Sequence, residues 1–261
     1  MGRWSAAGVA VCAALGACTL DFSNLSGGDA GVDGGWVTSI LLPLYIYPST
    51  GAWAPVIDGR RSHPDVPVVA IINPDNGPGR GVDPNYVAGL ATLSAAGVRL
   101  IGYVDTGYGI RDAGVIVAEV REWQKYTGVD GIFFDRVSNS PSAFDDYREL
   151  AGSAADAGYR FLVQNPGAVT TVDYAGLFDV SVVFEGSGYP ASASLSVARV
   201  GLSRSKFGSL SYGVPFDREA VAALKSQVGH LYVTDDDGGT NGMPWGTFPS
   251  YYPELLNSLA P

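Results

Sequence analysis

Between residues 39 and 261, short apolar runs rich in β-branched residues alternate with stretches whose apolar positions recur at helical spacing. The runs predict strands at 39–47, 68–73, 99–105, 130–135, 159–165, 178–185, 206–212 and 230–234. Helices are predicted at 84–96, 113–126, 142–157 and 217–228, with a shorter helical or irregular piece at 169–176. The helix at 84–96 carries its own punctuation: Asp83 as N-cap, Pro84 at the first position and Gly97 as the stop. The segment 50–67 is rich in Pro and Gly and reads as a loop. Eight strands separated by helical segments over about 200 residues fit a (β/α)8 TIM barrel at the short end of its usual length. A doubly wound open sheet would carry a phosphate-binding glycine loop after an early strand. Gly77-Pro78-Gly79 is a turn signal and not such a loop.

In a barrel of this kind the chemistry sits at the C-terminal ends of the strands. Here those ends carry Tyr45 and Tyr47, Asn73, Tyr103 and Asp105, Asp135, Asn165, Glu185, Tyr212, and the run Asp235-Asp236-Asp237. Rings that stack on pyranose faces, with amides and acids that grip hydroxyls, are the profile of a sugar cleft. The runs Gly131-Ile132-Phe133-Phe134-Asp135 and Val182-Val183-Phe184-Glu185 each end in a carboxylate, which is costly at a buried strand end without a partner or ligand. Two carboxylates in one cleft are the minimal machinery for glycosidic cleavage. Period-two alternation places Gly131, Phe133 and Asp135 on one face, and Ser181, Val183 and Glu185 on one face. Asp130 and Asp179, at strand starts, read as structural. Asn73 and Asn165 each precede a proline and could equally shape turns. Trp245 is either barrel-closing packing or a sugar platform.

Composition narrows the picture. A net charge of −10 and a pI near 4.5 exclude a nucleic-acid partner of the basic-face kind and match a substrate that is in part cationic, such as a polysaccharide with free amines. His63 and His230 stand alone, without paired-ligand spacing, so neither a zinc site nor any other metal or cofactor is expected. The acid run lacks EF-hand spacing, and no GxSxG elbow is present.

Both cysteines, Cys12 and Cys18, lie in a segment that reads as an export signal, with Arg3 followed by the apolar stretch 7–15. Leu15-Gly16-Ala17-Cys18 matches a bacterial lipobox, with Cys18 as the acylated residue; an ordinary secretory signal is the alternative. The expected organisation is a lipoprotein signal at 1–17, a Gly/Asp-rich tether at 18–35, and one barrel domain at 36–261. Membrane contact would then be through the lipid alone, on an exported protein.

The phrases Pro43-Leu44-Tyr45-Ile46-Tyr47-Pro48, Ile72-Asn73-Pro74, Gly102-Tyr103-Val104-Asp105-Thr106-Gly107-Tyr108-Gly109, Gly128-Val129-Asp130-Gly131-Ile132-Phe133-Phe134-Asp135, Asn165-Pro166-Gly167 and Val183-Phe184-Glu185-Gly186, taken in order, resemble the spherulin-4-like glycoside hydrolases. Tyr232-Val233-Thr234-Asp235-Asp236 extends the match towards the end of the chain. The resemblance implies a (β/α)8 barrel and endo-acting cleavage, with retention, of exopolysaccharide containing N-acetylgalactosamine, such as galactosaminogalactan and Pel-type biofilm polymers. It places the strand-four aspartate on Asp135 and the strand-six glutamate on Glu185. The family often carries a glutamate directly after that aspartate; here the residue is Arg136. An arginine beside Asp135 is expected to hold the acid ionised, although alternation points Arg136 away from the barrel interior. Asp135 would act as nucleophile or charge stabiliser and Glu185 as acid and base, or the reverse. Substrate contacts are expected from Tyr45, Tyr47, Asn73, Tyr103, Asp105, Tyr108, Asn165, Tyr189, Asp235, Asp236 and Trp245. The rival reading is a carbohydrate-binding surface lipoprotein on the same barrel, without turnover.

Overall fold

The computed structural model describes residues 37–198 and 202–261. The segments expected to be a signal and a tether, with Cys18, lie outside the described residues. Eight parallel strands close into one barrel in chain order, each followed by a helix. They are β1 (Ser39–Leu44), α1 (Ala54–Ser62), β2 (Val68–Ile72), α2 (Pro84–Ala95), β3 (Arg99–Asp105), α3 (Ala113–Glu122), β4 (Val129–Asp135), α4 (Phe144–Asp156), β5 (Phe161–Asn165), α5 (Val172–Leu177), β6 (Val180–Ser187), α6 (Ser192–Ala198), β7 (Phe207–Tyr212), α7 (Arg218–Gln227), β8 (His230–Val233) and α8 (Tyr252–Leu259). The (β/α)8 architecture expected from the alternating pattern is the one observed.

Where sequence punctuation was strong, it acts as expected. Asp83 accepts from the Asn85 N–H and Asp217 from the Glu219 and Ala220 N–H groups, so each supplies acceptors to an otherwise unpaired helix start. The expected loop at 50–67 instead contains α1. Its Pro lies in the first turn, where a missing N–H costs nothing, and its Gly59 lets α8 approach closely. A Cβ on Gly59 would stand 2.7 Å from Leu256 and 3.2 Å from Tyr252. Arg60 closes the end by donating to the carbonyls of His63, Pro64 and Val66.

Register fixes what the barrel encloses. Cross-strand partners share a face, so the pairings Ser39↔His230, Leu41↔Val69, Ile71↔Ile101, Tyr103↔Phe133, Asp105↔Asp135 and Asp135↔Asn165 trace the lumen. Its floor is polar but closed. Ser39 Oγ bonds His230 Nδ1 at 2.5 Å, His230 packs on Phe161, and the Arg99 guanidinium lies 4.6 Å from the Phe161 ring centre. Above the floor come apolar layers, and at the top the acids.

β6 departs from simple alternation. Its pairing with β7 slips between Val182 and Phe184, leaving Val183 as an extra residue, a β-bulge. Ser181 therefore does not share the lumen face with Glu185. Its hydroxyl accepts from the Gln164 amide, which also donates to the Tyr174 carbonyl of α5, outside the barrel. Below the bulge Val180 and Val182 face inward, Val180 opposite Val163. Above it Glu185 faces inward, opposite Leu210. The bulge re-phases the strand so that its acid meets the cleft.

Candidate active site

At the barrel mouth, three side chains from consecutive strands converge. Asn165, at the end of β5, lies between Asp135 of β4 and Glu185 of β6. Its amide nitrogen donates one hydrogen to Asp135 Oδ1 at 2.8 Å and the other to Glu185 Oε2. An amide nitrogen has two donors, and both are used here on carboxylates. Two oxygens bonded to one nitrogen lie no more than roughly 6 Å apart. The orientation of Asn165 is itself fixed, because its Oδ1 accepts from the Gly167 N–H at 3.0 Å. The proline after Asn165 thus marks a turn that the side chain stabilises while its nitrogen serves the acids.

Asp135 is half-buried, and Tyr103 donates to its Oδ2 at 2.7 Å. Burial pushes its carboxyl above the usual range, only partly offset by the bonds from Tyr103, the Arg136 N–H and Asn165, and reinforced by the charge of Asp105. Burial does the same to Glu185. The bond from Asn165 pulls that carboxyl down, the charge of Asp135 pushes it up and hydrogen bonding to Trp245 lowers it again. Two neighbouring acids with raised proton affinity favour a state in which one of them carries a proton. Tyr45 completes the floor of the cleft: it meets the Tyr103 ring edge-on at 5.8 Å, and burial, followed by the charges of Asp135, Tyr103 and Glu185, keeps its hydroxyl protonated.

Arg136 does not behave as alternation or adjacency suggested. β4 ends at Asp135, and Arg136 takes a left-handed backbone with φ of 51°, which swings its side chain across to the neighbouring strand. There its Nε donates to Asp105 Oδ1 at 2.7 Å and its Nη2 to Asp105 Oδ2. The arginine is thus paired with Asp105, and burial keeps the Asp135 carboxyl above the usual range despite its neighbour. Asp105 is buried, also accepts from the Gly107 N–H at 2.8 Å, and these bonds bring its carboxyl below the usual range against the opposing effect of burial. Thr106 ties the same corner, donating to the carbonyls of Asp135 and Arg136.

The remaining candidates line the rim. Tyr47 is exposed and links to Asp83 and Asn85 at the start of α2; Tyr108 is exposed with the Arg136 guanidinium 5.9 Å from its ring centre. Asn73 accepts from the Gly77 N–H, and Tyr189 bridges the Pro215 carbonyl and the Asp217 N–H. Asp235 accepts from Ser250, and Asp236 from Thr247 and Gly238, so both order the last loop of the barrel. Trp245 packs edge-on against Tyr212 and tilts over Tyr232, which sets its indole beside Glu185. Sequence reading missed Thr106 and the clamp between Arg136 and Asp105; neither leaves a signal in alternation, since both depend on a left-handed residue after the strand. Among the described residues no group of three or more His, Cys, Asp or Glu could hold a metal ion, and no helix is long and apolar enough to cross a membrane.

Comparison with known proteins bears on the family and the fold. Spherulin-4 of Physarum polycephalum is 36% identical over 152 residues, covering 57% of this chain and 45% of that protein, so the chain matches under half of its relative's length. The crystal structure of Aspergillus clavatus Sph3 in complex with GalNAc superposes with a TM-score of 0.75 at 27% identity, over 87% of this chain and 99% of that one. The Bacillus cereus spore cortex-lytic enzyme SleL, at 12% identity and a TM-score of 0.53 over 87% of this chain and 76% of that one, shares the fold. The model of Spherulation-specific family 4 matches residues 39–259, from the first strand of the barrel through its last helix. The chain belongs to that family.

Proposed function

We propose that the barrel is a glycoside hydrolase that cleaves within polysaccharides containing N-acetylgalactosamine, using Asp135 and Glu185. One observation carries this reading: a single amide nitrogen, that of Asn165, holds an oxygen of each acid. The resulting spacing suits the retaining route, which needs the two carboxyls about 5–5.5 Å apart, better than the inverting one at about 6.5–9.5 Å. The likeness to Sph3, whose structure holds GalNAc, supports the sugar class.

The environments divide the roles. Asp135 accepts from Tyr103 and Asn165, bonds that favour its ionised form, and serves as nucleophile at the anomeric carbon. Its negative charge in turn raises the proton affinity of Glu185, which keeps the proton to donate to the leaving oxygen. After the glycosyl–enzyme bond forms, Glu185 takes a proton from water, whose oxygen displaces Asp135 and frees the sugar. Tyr47 and Tyr108, exposed on two different loops, support an extended polymer in place of a single residue.

The test is release of reducing ends from de-acetylated and fully acetylated GalNAc polymers, with product length read by mass spectrometry. Oligosaccharides from wild type, and none from Asp135→Asn or Glu185→Gln, is the expected result. Polymer binding without any product would instead establish the carbohydrate-binding reading.

A further inference from the structure

The corner where β3 and β4 end places two acids side by side. Asp105 and Asp135 are register partners on adjacent strands, both facing the lumen, at a strand spacing of about 4.8 Å. Like charges on paired strand positions oppose each other's ionisation, and the charge of Asp105 adds to the upward push on Asp135. Asp105 is held by Arg136 and the Gly107 N–H, bonds that outweigh the upward push of its burial, so it stays charged at the pH where Asp135 titrates. The chain answers with Arg136, bound through two nitrogens to both oxygens of Asp105. The other nearby arginine is committed elsewhere. Arg111 donates to the Asp105 carbonyl but carries its own counter-ion, Glu119, on both terminal nitrogens. Two ion pairs therefore lie behind the acid pair: Arg136 bonds the Asp105 carboxylate directly, and Arg111 adds a smaller share of positive charge.

We propose that Arg136 is a positioning residue for the reaction: by pairing with Asp105 it screens Asp135 from that carboxylate and sets where the acid pair gains and loses its proton. The inference rests on the reading of Asp135 as a reacting acid, but the clamp itself is a property of the corner. The left-handed backbone at Arg136 supports it, because a non-glycine residue at φ of 51° is uncommon and only that turn carries the guanidinium from the end of β4 back over β3. Tyr108 on one side, with its ring 5.9 Å from the guanidinium, and the Thr106 bonds to the Asp135 and Arg136 carbonyls fix the turn. The groups facing Asp135 are then complete: Tyr103 and Asp105 from β3, Arg136 after β4, Asn165 from β5, Glu185 from β6 and Tyr45 after β1. Of these, Asp105 and Arg136 are the pair of opposite charge. Removing either one leaves the other uncompensated.

The experiment is a titration of the Asp135 carboxyl by side-chain carbon-13 NMR, assigned by Asp135→Asn, in otherwise intact protein. Arg136→Gln should raise the Asp135 midpoint by about one pH unit, Asp105→Asn should lower it by a similar amount, and the double variant should return it close to wild type. Arg136→Lys, which keeps the charge and loses the two-point fit, should fall between wild type and Arg136→Gln. If Arg136→Gln fails to fold, Arg136→Lys decides: an Asp135 midpoint raised from wild type supports the proposal and an unmoved one overturns it. Midpoints unmoved in both Arg136→Gln and Asp105→Asn would overturn the proposal, as would shifts of the same sign in those two. The acid limb of the pH–rate profile should follow the same order. Shifted midpoints in a protein that hydrolyses no GalNAc polymer would keep the clamp and remove the glycosidase reading.

Discussion

Asn165 concentrates the consequences of the site in one side chain. Its nitrogen holds both acids and its oxygen holds the following turn, so Asn165→Ala releases two carboxyls and a backbone N–H at once. Misplaced reacting groups cost on the order of 10²-fold in rate, and Asn165→Ala should lower kcat by at least that much while KM changes little. Asn165→Asp should be worse than Ala, since it adds a third acid where a donor is needed. The raised proton affinities also carry a stability consequence with a definite sign. A carboxyl whose folded-state value lies above its unfolded one stabilises the fold at low pH, and that contribution is lost as pH rises through the folded value. At pH 7 the ionised acids are therefore a liability, and Asp135→Asn or Glu185→Gln should melt higher than wild type while losing turnover. A gain of about 1 kcal/mol would read as ~2–4 °C in a thermal melt at pH 7, and should shrink towards pH 4.

At the scale of elements, the strands and their order were legible because buried parallel strands are written as continuous apolar runs, and the acids because they break those runs at the end. The helix α1 was not legible: its Pro and Gly signal a loop in isolation, and only contact with α8 explains why both are tolerated. The lumen face of β6 was obscured for a related reason. Alternation is a local rule, and the extra residue at Val183 is seen only in pairing with β7. Arg136 likewise escaped, since a side chain that crosses to the next strand is set by a backbone angle that no apolar pattern encodes. One element-level test concerns how β3 is held. Trp123, following α3, lies flat on Gly102, where a Cβ would come within 2.3 Å of the indole, and its Nε1 donates to the Tyr103 carbonyl. Gly102→Ala should displace that ring and destabilise by about 1–3 kcal/mol in urea unfolding. Gly152→Ala, on α4 with nothing within 4 Å of the new methyl, should stabilise by about 0.5–1 kcal/mol.

Considered as one molecule, the barrel has two ends with opposite responses to acid. At the floor, His230 is fully buried against Ser39 and the Ser205 carbonyl, and burial drives it down to about 3. A histidine lowered in the folded state supports the fold fully above its unfolded value near 6.5, and that support drains away as pH falls towards 3. Chemical denaturation between pH 7 and pH 4 should therefore show falling stability in wild type. His230→Gln, uncharged throughout, should flatten that slope even if its stability at pH 7 is lower. The Asp135 and Glu185 pair at the mouth works the other way, because those two acids become easier to keep folded as they protonate. Stability and catalysis are thus tuned from separate faces, as barrels of this architecture permit. The extra residue in β6 extends that separation into the strand itself. Val183 is a seam: the residues below it pack in the core, and above it Glu185 faces the cleft. A chimera joined at the seam would keep its glutamate aimed into the cleft, whereas one joined a residue out of phase would turn that acid towards the surrounding helices.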